Sequence, residues 1–479
     1  MEQAVPGPVT GIDLTQVESL LCPWMADPWG RLRPPISLTA LQLSAELSAA
    51  CQSLNITPWL KAGWRDVTVQ VDGALTPLER AWRSPSARLQ RSLIRASISG
   101  VNPLQQIAGA LREREAASTG KAVVMIRPAP GGKYVVAICF MGTGTRFYDW
   151  FSNFRISTPE GIHKGFSQLT DQFERNEEHI AFPETARELG LERLTLRHIL
   201  QEARRADSRF RIWLSGHSQG GAVMQVYTRR KLLEDGVYPQ NLLGWGFASP
   251  SVATGDAAAD PAAFPLYHVH NSDDLVPRCG AAVHLGVCLV YPADEALRRA
   301  CYGWPRDAAS VNARLEVRPV VQQMVDTPGC IVQVMAFLTV LQGCTAREIA
   351  GALGVEESPP ATLLLERVDM EAAVSGLMRT LAAAYQSVTG QPLPGDKLGA
   401  AVFLTQSIVS RIGLRPFAEA LSQLLRYPHR MTVRKAGQYM TPYAWIAQHG
   451  AAQLTPYIWQ PGPPPWRMAA PVKDSHNTP

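Results

Sequence analysis

The chain has 479 residues, of which 46% are hydrophobic, 18% charged and 8% aromatic; this composition excludes a disordered or fibrous protein, and the length exceeds what one hydrophobic core usually organises. The formal net charge of +5 is small for this length and neither requires nor excludes an anionic partner such as a lipid surface. Eight cysteines (Cys22, Cys51, Cys139, Cys279, Cys288, Cys301, Cys330 and Cys344) form no C-x-x-C pair and no zinc-site spacing, so no metal site is expected and a reducing compartment is the plain reading.

In chain order, the first eight residues have neither a basic n-region nor an apolar h-region, which predicts a cytoplasmic protein and leaves secretion by a signal-independent route open. Residues 1–119 read as a Pro-rich arm followed by a helical N-terminal layer, because over 37–118 the spacing of Leu38, Leu41, Ala45 and Ala49 suits amphipathic helices. Trp24, Trp29, Trp59, Trp64 and Trp82 fall in this region and are expected to pack it onto the next domain.

From about residue 120 the texture changes to short apolar runs bounded by turn signals, the pattern of an α/β sheet protein. Residues 120–309 form the expected α/β core, with the sheet starting at 122–126 and 134–140 around Pro128-Ala129-Pro130-Gly131-Gly132. Further strands are expected at 210–215, 242–248 and 265–270, and helices at 163–178, 195–206 and 219–235. Over 310–427 strand signals give way to Ala/Leu-rich patterning, read as a helical insertion. Its most apolar run, 330–341, falls well short of the roughly 20 residues that cross a bilayer. Residues 428–460 are read as a return to the core and 461–479 as a disordered tail.

The central motif is Gly216-His217-Ser218-Gln219-Gly220, directly after one expected strand and directly before an expected helix. A serine at such a strand-to-helix turn is lifted clear of its neighbours, and glycines on either side remove the clash. The turn also aims the amino end of the helix at the hydroxyl, so the amide of Gln219 can donate to an oxyanion formed there.

Several further segments agree with one family. Residues 134–140 lead into Met141-Gly142-Thr143-Gly144-Thr145, then Asp149-Trp150 and His163-Lys164-Gly165-Phe166; downstream stand Phe247-Ala248-Ser249-Pro250 and Asn271-Ser272-Asp273-Asp274-Leu275-Val276-Pro277. Over roughly 120–290 the sequence resembles the class 3, fungal-lipase-like family of α/β-hydrolases. It departs from that family at Met141, where an arginine is usual. The resemblance implies an α/β-hydrolase-like sheet with flanking helices, Thr143 as the second oxyanion-hole residue and Asp274 as the catalytic carboxylate, with Asp273 as the alternative.

The fold's order of Ser, Asp, His puts the base after Asp274, leaving His284, His429, His449 and His476. His476 lies in the tail. His284 stands in a stretch that the family carries without using its histidine as base. The preferred base is His429, at a Pro-marked loop after the helical stretch, with His284 and His449 as alternatives.

Phe147, Trp150, Phe151 and Phe154 recur at i, i+3, i+4 and i+7, one stripe on a helix, and are the candidate lid, although packing on the sheet would also explain them. The expected function is serine-dependent hydrolysis of acylglycerol, phospholipid or simpler carboxylic esters, with a possible peripheral contact with a lipid surface. No metal or organic cofactor is implied. Two other classes compete. One is a catalytically impaired relative that binds lipid or a protein partner. The other is a nucleic-acid binder, because 345–355 resembles the first helix and turn of a helix-turn-helix; against it, the following Ser358-Pro359-Pro360 and Leu363-Leu364-Leu365-Glu366 lack side chains that reach base edges.

Overall fold

The computed structural model describes residues 12–21, 37–77, 121–142, 161–253, 263–302, 428–431 and 441–457, apart from 54, 72–73, 275 and 279–282, with isolated positions between 316 and 420. Outside the described residues lie Thr143, the stripe Phe147, Trp150, Phe151 and Phe154, Trp24, Trp29 and Trp82, the stretch 345–355, nearly all of 310–427, and the tail 461–479.

Helix α1 (Leu38–Ser53) buries Leu41, Leu43, Ala45, Leu47, Ala49 and Cys51 together with the polar Ser44, Glu46 and Ser48, positions that together surround its axis. A helix buried all round is covered by its neighbours, and α1 lies against the sheet rather than on the surface. After the short α2 (Thr57–Lys61) the structure departs from the expected run of helices. Strands β1 (Arg65–Val71) and β2 (Ala74–Pro77) pair antiparallel, so the sheet begins well before residue 120. Helical continuation is broken at Gly63, whose φ is 88°. The β-branched run Val67, Thr68, Val69 then favours a pleated strand. Trp59 and Trp64 meet Trp213 with ring centroids 5.9 and 5.6 Å away, which is the packing role expected of them.

The remaining elements are β3 (Ala122–Ala129), β4 (Lys133–Phe140), α3 (Lys164–Glu174), α4 (Pro183–Glu188), α5 (Leu196–Glu202), β5 (Phe210–His217), α6 (Gln219–Leu233), β6 (Leu242–Phe247), β7 (Leu266–Asn271), β8 (Val287–Tyr291), α7 (Glu295–Cys301), α8 (Pro442–Trp445) and β9 (Thr455–Tyr457). Among the described residues they make one sheet of nine strands in the order β2-β1-β3-β4-β5-β6-β7-β8-β9. Strands β4 to β8 run parallel, and antiparallel β1 and β3 extend one side while β9 closes the other. This is the α/β-hydrolase-like sheet with flanking helices that the sequence predicts. Parallel strands are covered on both faces, which is why β6 reads as an apolar run and β7 is buried along its whole length although it carries His268, His270 and Asn271.

One face carries α1, with Leu41 and Leu47 in the same core as Val135, Ala137 and Trp213. Ser44 and Ser48 tie that helix to the central strand: Trp213 Nε1 donates to Ser44 Oγ at 2.9 Å, and the Ser48 and Ser215 hydroxyls stand 2.6 Å apart. The other face carries α3 and α6, with Phe140, Phe173 and Tyr227 in mutual contact at centroid distances of 4.9 to 5.4 Å.

On that face α6 is pinned to α3 by a buried ion cluster. Lys231, 3% exposed, lies 3.0 Å from Glu174, 2.9 Å from the fully buried Glu177 and 2.6 Å from Asp235. Burial works against the charged ammonium, but Glu177, Glu174 and Asp235 together outweigh it and hold the Lys231 pKa above its ordinary value. Removing the cation would leave Glu174 its contact with Arg230 but would leave the fully buried Glu177 only the more distant guanidinium of Arg197, 3.6 Å away. Lys231→Met should therefore lower the free energy of urea unfolding by about 3–5 kcal/mol; a loss under about 1 kcal/mol would mean that the cluster is relaxed by solvent.

Candidate active site

Ser218 stands at the end of the central strand β5 and forms the N-cap of α6 with φ 58° and ψ −128°. Such a conformation costs a non-glycine residue about 1–3 kcal/mol and persists only where its surroundings fix it. Here they do. The Ser218 N–H donates to Phe247 O of β6 at 2.9 Å, and Ser218 O accepts from Gly221 N and Ala222 N at 2.9 and 3.2 Å. The neighbouring glycines are demanded by space: a Cβ on Gly216 would come within 2.6 Å of Gly220 O, one on Gly220 within 2.1 Å of Phe140 O, and one on Gly221 within 1.9 Å of Ser249 Oγ. The bend is thus wedged between the ends of β4 and β6.

Gln219 opens the 15-residue helix α6, so its amide belongs to the first turn, at the positive end of the helix dipole. On the other side of the serine the end of β4 approaches closely. A Cβ on Gly142 would meet His217 O at 2.6 Å and Ser218 Cβ at 3.3 Å, and the Gly142 N–H donates to Gln52 Oε1 of α1 at 3.1 Å. Thr143 is the next residue in the chain.

Asp274 follows β7 and is 1% exposed. Its Oδ1 accepts the Val276 N–H at 3.0 Å. Its Oδ2 accepts from His429 Nδ1 at 2.9 Å and from the Tyr443 hydroxyl at 2.6 Å. With the Nδ1 proton directed to the carboxylate, His429 keeps the lone pair on Nε2. The partly buried ring of His429 lies 4.6 Å, centroid to centroid, from that of His217, next to Ser218. His217 Nε2–H donates in turn to the His429 carbonyl at 2.7 Å. Burial, reinforced by the nearby His429, holds the His217 pKa well below the usual histidine range, so this ring is a fixed neutral donor. No hydrogen bond between Ser218 and His429 is formed among the described residues; such contacts often close only when substrate is bound.

The other sequence candidates lie elsewhere. Asp273 is held by Arg298, at 2.7 and 2.9 Å, and by the Tyr302 hydroxyl at 3.1 Å. His284 is 1% exposed and donates from Nε2 to Ser249 O at 2.8 Å. His449 is exposed, on the π-helical turn Ile446–Gly450 beside Trp445. Neither histidine is hydrogen-bonded to Asp274, whereas His429 is. Tyr443, His217, Gln52 and Asn271 join the site without having been singled out. Most of their partners are remote in sequence, and the usable signals were the place of His217 in the Ser218 motif, that of Asn271 at the head of the Asn271–Pro277 segment and that of the tyrosine soon after the His429 loop.

Among the described residues no group of His, Cys, Asp and Glu is placed to hold a metal ion, and no helix is long and apolar enough to cross a membrane.

Residues 137–284 match the model of the lipase (class 3) family. Among solved structures the chain is similar to the triacylglyceride lipase of Rhizomucor miehei, at 20% identity over 36% of this chain and 62% of that one, with a TM-score of 0.27. It is also similar to the lipase of Rhizopus microsporus var. chinensis (17%, 36% and 58%, TM-score 0.26) and to the Lip2 lipase of Yarrowia lipolytica (14%, 36% and 62%, TM-score 0.24). The chain thus spans less than two thirds of the length of each. No curated protein matches it.

The buried histidines of this region make the fold sensitive to acid. Burial lowers the His284 pKa to about 3, with a smaller contribution from nearby His268, and lowers that of His268 itself to about 4. The unfolded chain protonates both near pH 6.5 while the folded one does not, so stability present above that pH is lost as pH falls toward about 3, at about 1.4 kcal/mol per pH unit for each ring. Urea midpoints measured from pH 7 to pH 4 should fall accordingly, and less steeply for His284→Gln. Equal slopes would contradict this origin of the acid sensitivity.

Proposed function

We propose that this chain, whose residues 137–284 match the lipase (class 3) family model, is a serine-dependent carboxylic ester hydrolase acting on acylglycerol or phospholipid esters. The observation that carries the reading is the pairing of the strained bend at Ser218 with an Asp274–His429 hydrogen bond 155 residues apart in sequence. Nothing in packing alone asks for a buried carboxylate shared by an imidazole and a tyrosine hydroxyl.

In the proposed reaction His429 Nε2 takes the Ser218 hydroxyl proton as the oxygen attacks the ester carbonyl. The oxyanion receives the amide of Gln219 at the start of α6 and, as the family resemblance implies, that of Thr143. His429 then returns the proton to the departing alcohol as its C–O bond breaks, leaving an acyl-serine. Water, deprotonated by the same imidazole, attacks the acyl carbon; the bond from that carbon to Ser218 Oγ breaks, the carboxylic acid leaves and the imidazole returns the proton to Ser218 Oγ. Asp274 carries no proton in this cycle; it holds the Nδ1–H tautomer and stabilises the imidazolium. The order of substrates rests on the family.

Ester turnover should fall by about 10⁴-fold or more in Ser218→Ala and His429→Ala, and by about 10⁴-fold in Asp274→Asn. His284→Gln and His449→Ala, once shown to be folded, should keep wild-type kcat. A fluorophosphonate should label the wild type and not Ser218→Ala. Absence of labelling in folded wild-type protein would end the hydrolase reading in favour of a lipid- or protein-binding relative.

The Tyr443 hydroxyl supports the negative charge of Asp274, and burial, together with that charge, keeps its own proton firmly bound. Tyr443→Phe removes that support, leaves the carboxylate charge more concentrated and should raise the acid limb of the kcat/KM profile while lowering kcat by less than Asp274→Asn does. An unchanged profile would mean that the hydroxyl serves packing only.

A further inference from the structure

Asn271, the last residue of β7, stands where the loops of the site cross, and it is 1% exposed. Its Oδ1 accepts the Asp273 N–H at 3.2 Å and its backbone carbonyl accepts the Asp274 N–H at 2.9 Å, so the turn bearing Asp274 is clamped to it. Its Nδ2 donates both to the Tyr302 hydroxyl at 2.9 Å and to the Pro428 carbonyl at 3.3 Å. Pro428 immediately precedes His429. The backbone N–H of Asn271 reaches the Tyr443 hydroxyl at 3.4 Å, the same hydroxyl that donates to Asp274.

A side-chain amide offers one acceptor oxygen and two N–H donors. In Asn271 all three are engaged, and the Asp273 N–H fixes which end is oxygen. An aspartate would lack the donors, and a leucine would lack every polar end. The frame around it is itself braced: Tyr302 donates to Asp273 Oδ2 at 3.1 Å, and Asp273 is held at two points by Arg298 of α7. Buried polar groups joined in this way define one arrangement rather than several.

We infer that Asn271 is a positioning residue that registers the His429 loop against the Asp274 turn, by holding the Pro428 carbonyl with one end of its amide and the Asp273 backbone with the other. The inference rests on the proposed serine mechanism. Its role is needed because the two loops have no local sequence connection; without the amide the imbalance falls on the 2.9 Å bond between His429 and Asp274. A misplacement of about 1 Å at a reacting group costs on the order of 10²-fold in rate.

The test compares wild type, Asn271→Leu and Tyr302→Phe by active-site titration with a fluorophosphonate, by kcat and KM on a soluble short-chain ester, and by the pH profile of kcat/KM. For Asn271→Leu the expected result is a kcat per titrated site on the order of 10²-fold lower, an unchanged KM, and an acid limb moved to lower pH because the imidazolium has lost part of its carboxylate contact. Tyr302→Phe should move kcat and the acid limb in the same directions by less. A purely structural role would lower the titratable fraction or the unfolding temperature and leave both quantities per site untouched; that result in Asn271→Leu, or in Tyr302→Phe should the first variant not fold, overturns the inference. Wild-type protein that neither turns over the ester nor reacts at Ser218 would instead remove the mechanism on which it rests.

Discussion

The constraint on which the site depends is the backbone of Ser218. A left-handed φ at a residue with a side chain is stable only if the chain on both sides is held more firmly than the strain pushes. Here β5 is locked between β4 and β6, the Ser218 N–H is fixed by Phe247, and three glycines let the ends of β4, β6 and α6 meet where no Cβ would fit. The same closeness that permits the bend brings Gly142 against the serine. A rigid central sheet thus does two things at once: it presents a hydroxyl, and it brings the preceding strand end beside it.

The carboxylate side is built differently. Asp274 hangs on a short turn after β7, and its partners come from far along the chain: His429 from a loop after the long stretch 310–427, Tyr443 from α8. Joining such distant segments costs little more in closure entropy than joining nearer ones, since that cost grows only with the logarithm of loop length. It does require that the returning segment be received in a fixed place. The hydrogen bonds of Pro428 to Asn271 and of His217 to the His429 carbonyl supply that place from both sides.

Much of the fold was legible because parallel strands buried on two faces leave apolar runs that few other structures produce. The expected strands at 122–126, 134–140, 210–215, 242–248 and 265–270 each coincide with a strand, and the motif at Ser218 falls where β5 turns into α6. β1 and β2 were hidden by the helical spacing just upstream, and β8 and β9 are short pieces whose pairing depends on neighbours remote in sequence. In the site, Ser218 could be singled out because it directly follows a strand and precedes a helix, and Asp274 because the stretch from Asn271 to Pro277 resembles a segment of the class 3 lipases. His429 emerged from chain order, elimination and its place at a Pro-marked loop after the helical stretch, since no local pattern announces which imidazole will meet a carboxylate 155 residues away. Asn271 was visible only as the head of the family-like segment and Tyr443 only by its place soon after the His429 loop: the parts they play are defined by their partners, and an amide or phenol in a sequence has an ordinary explanation first.

The hydrogen bond across that interval also sets a timetable. During synthesis the strained bend and the carboxylate leave the ribosome well before the imidazole, and the phenol that shares the carboxylate leaves last of all. Under the proposed mechanism a nascent chain, however well its central sheet has formed, holds a nucleophile without a base until residue 429 has docked. Onset of reactivity is thereby coupled to the docking of a segment made well after the nucleophile, and a chain broken off before that segment holds the strained serine without its base.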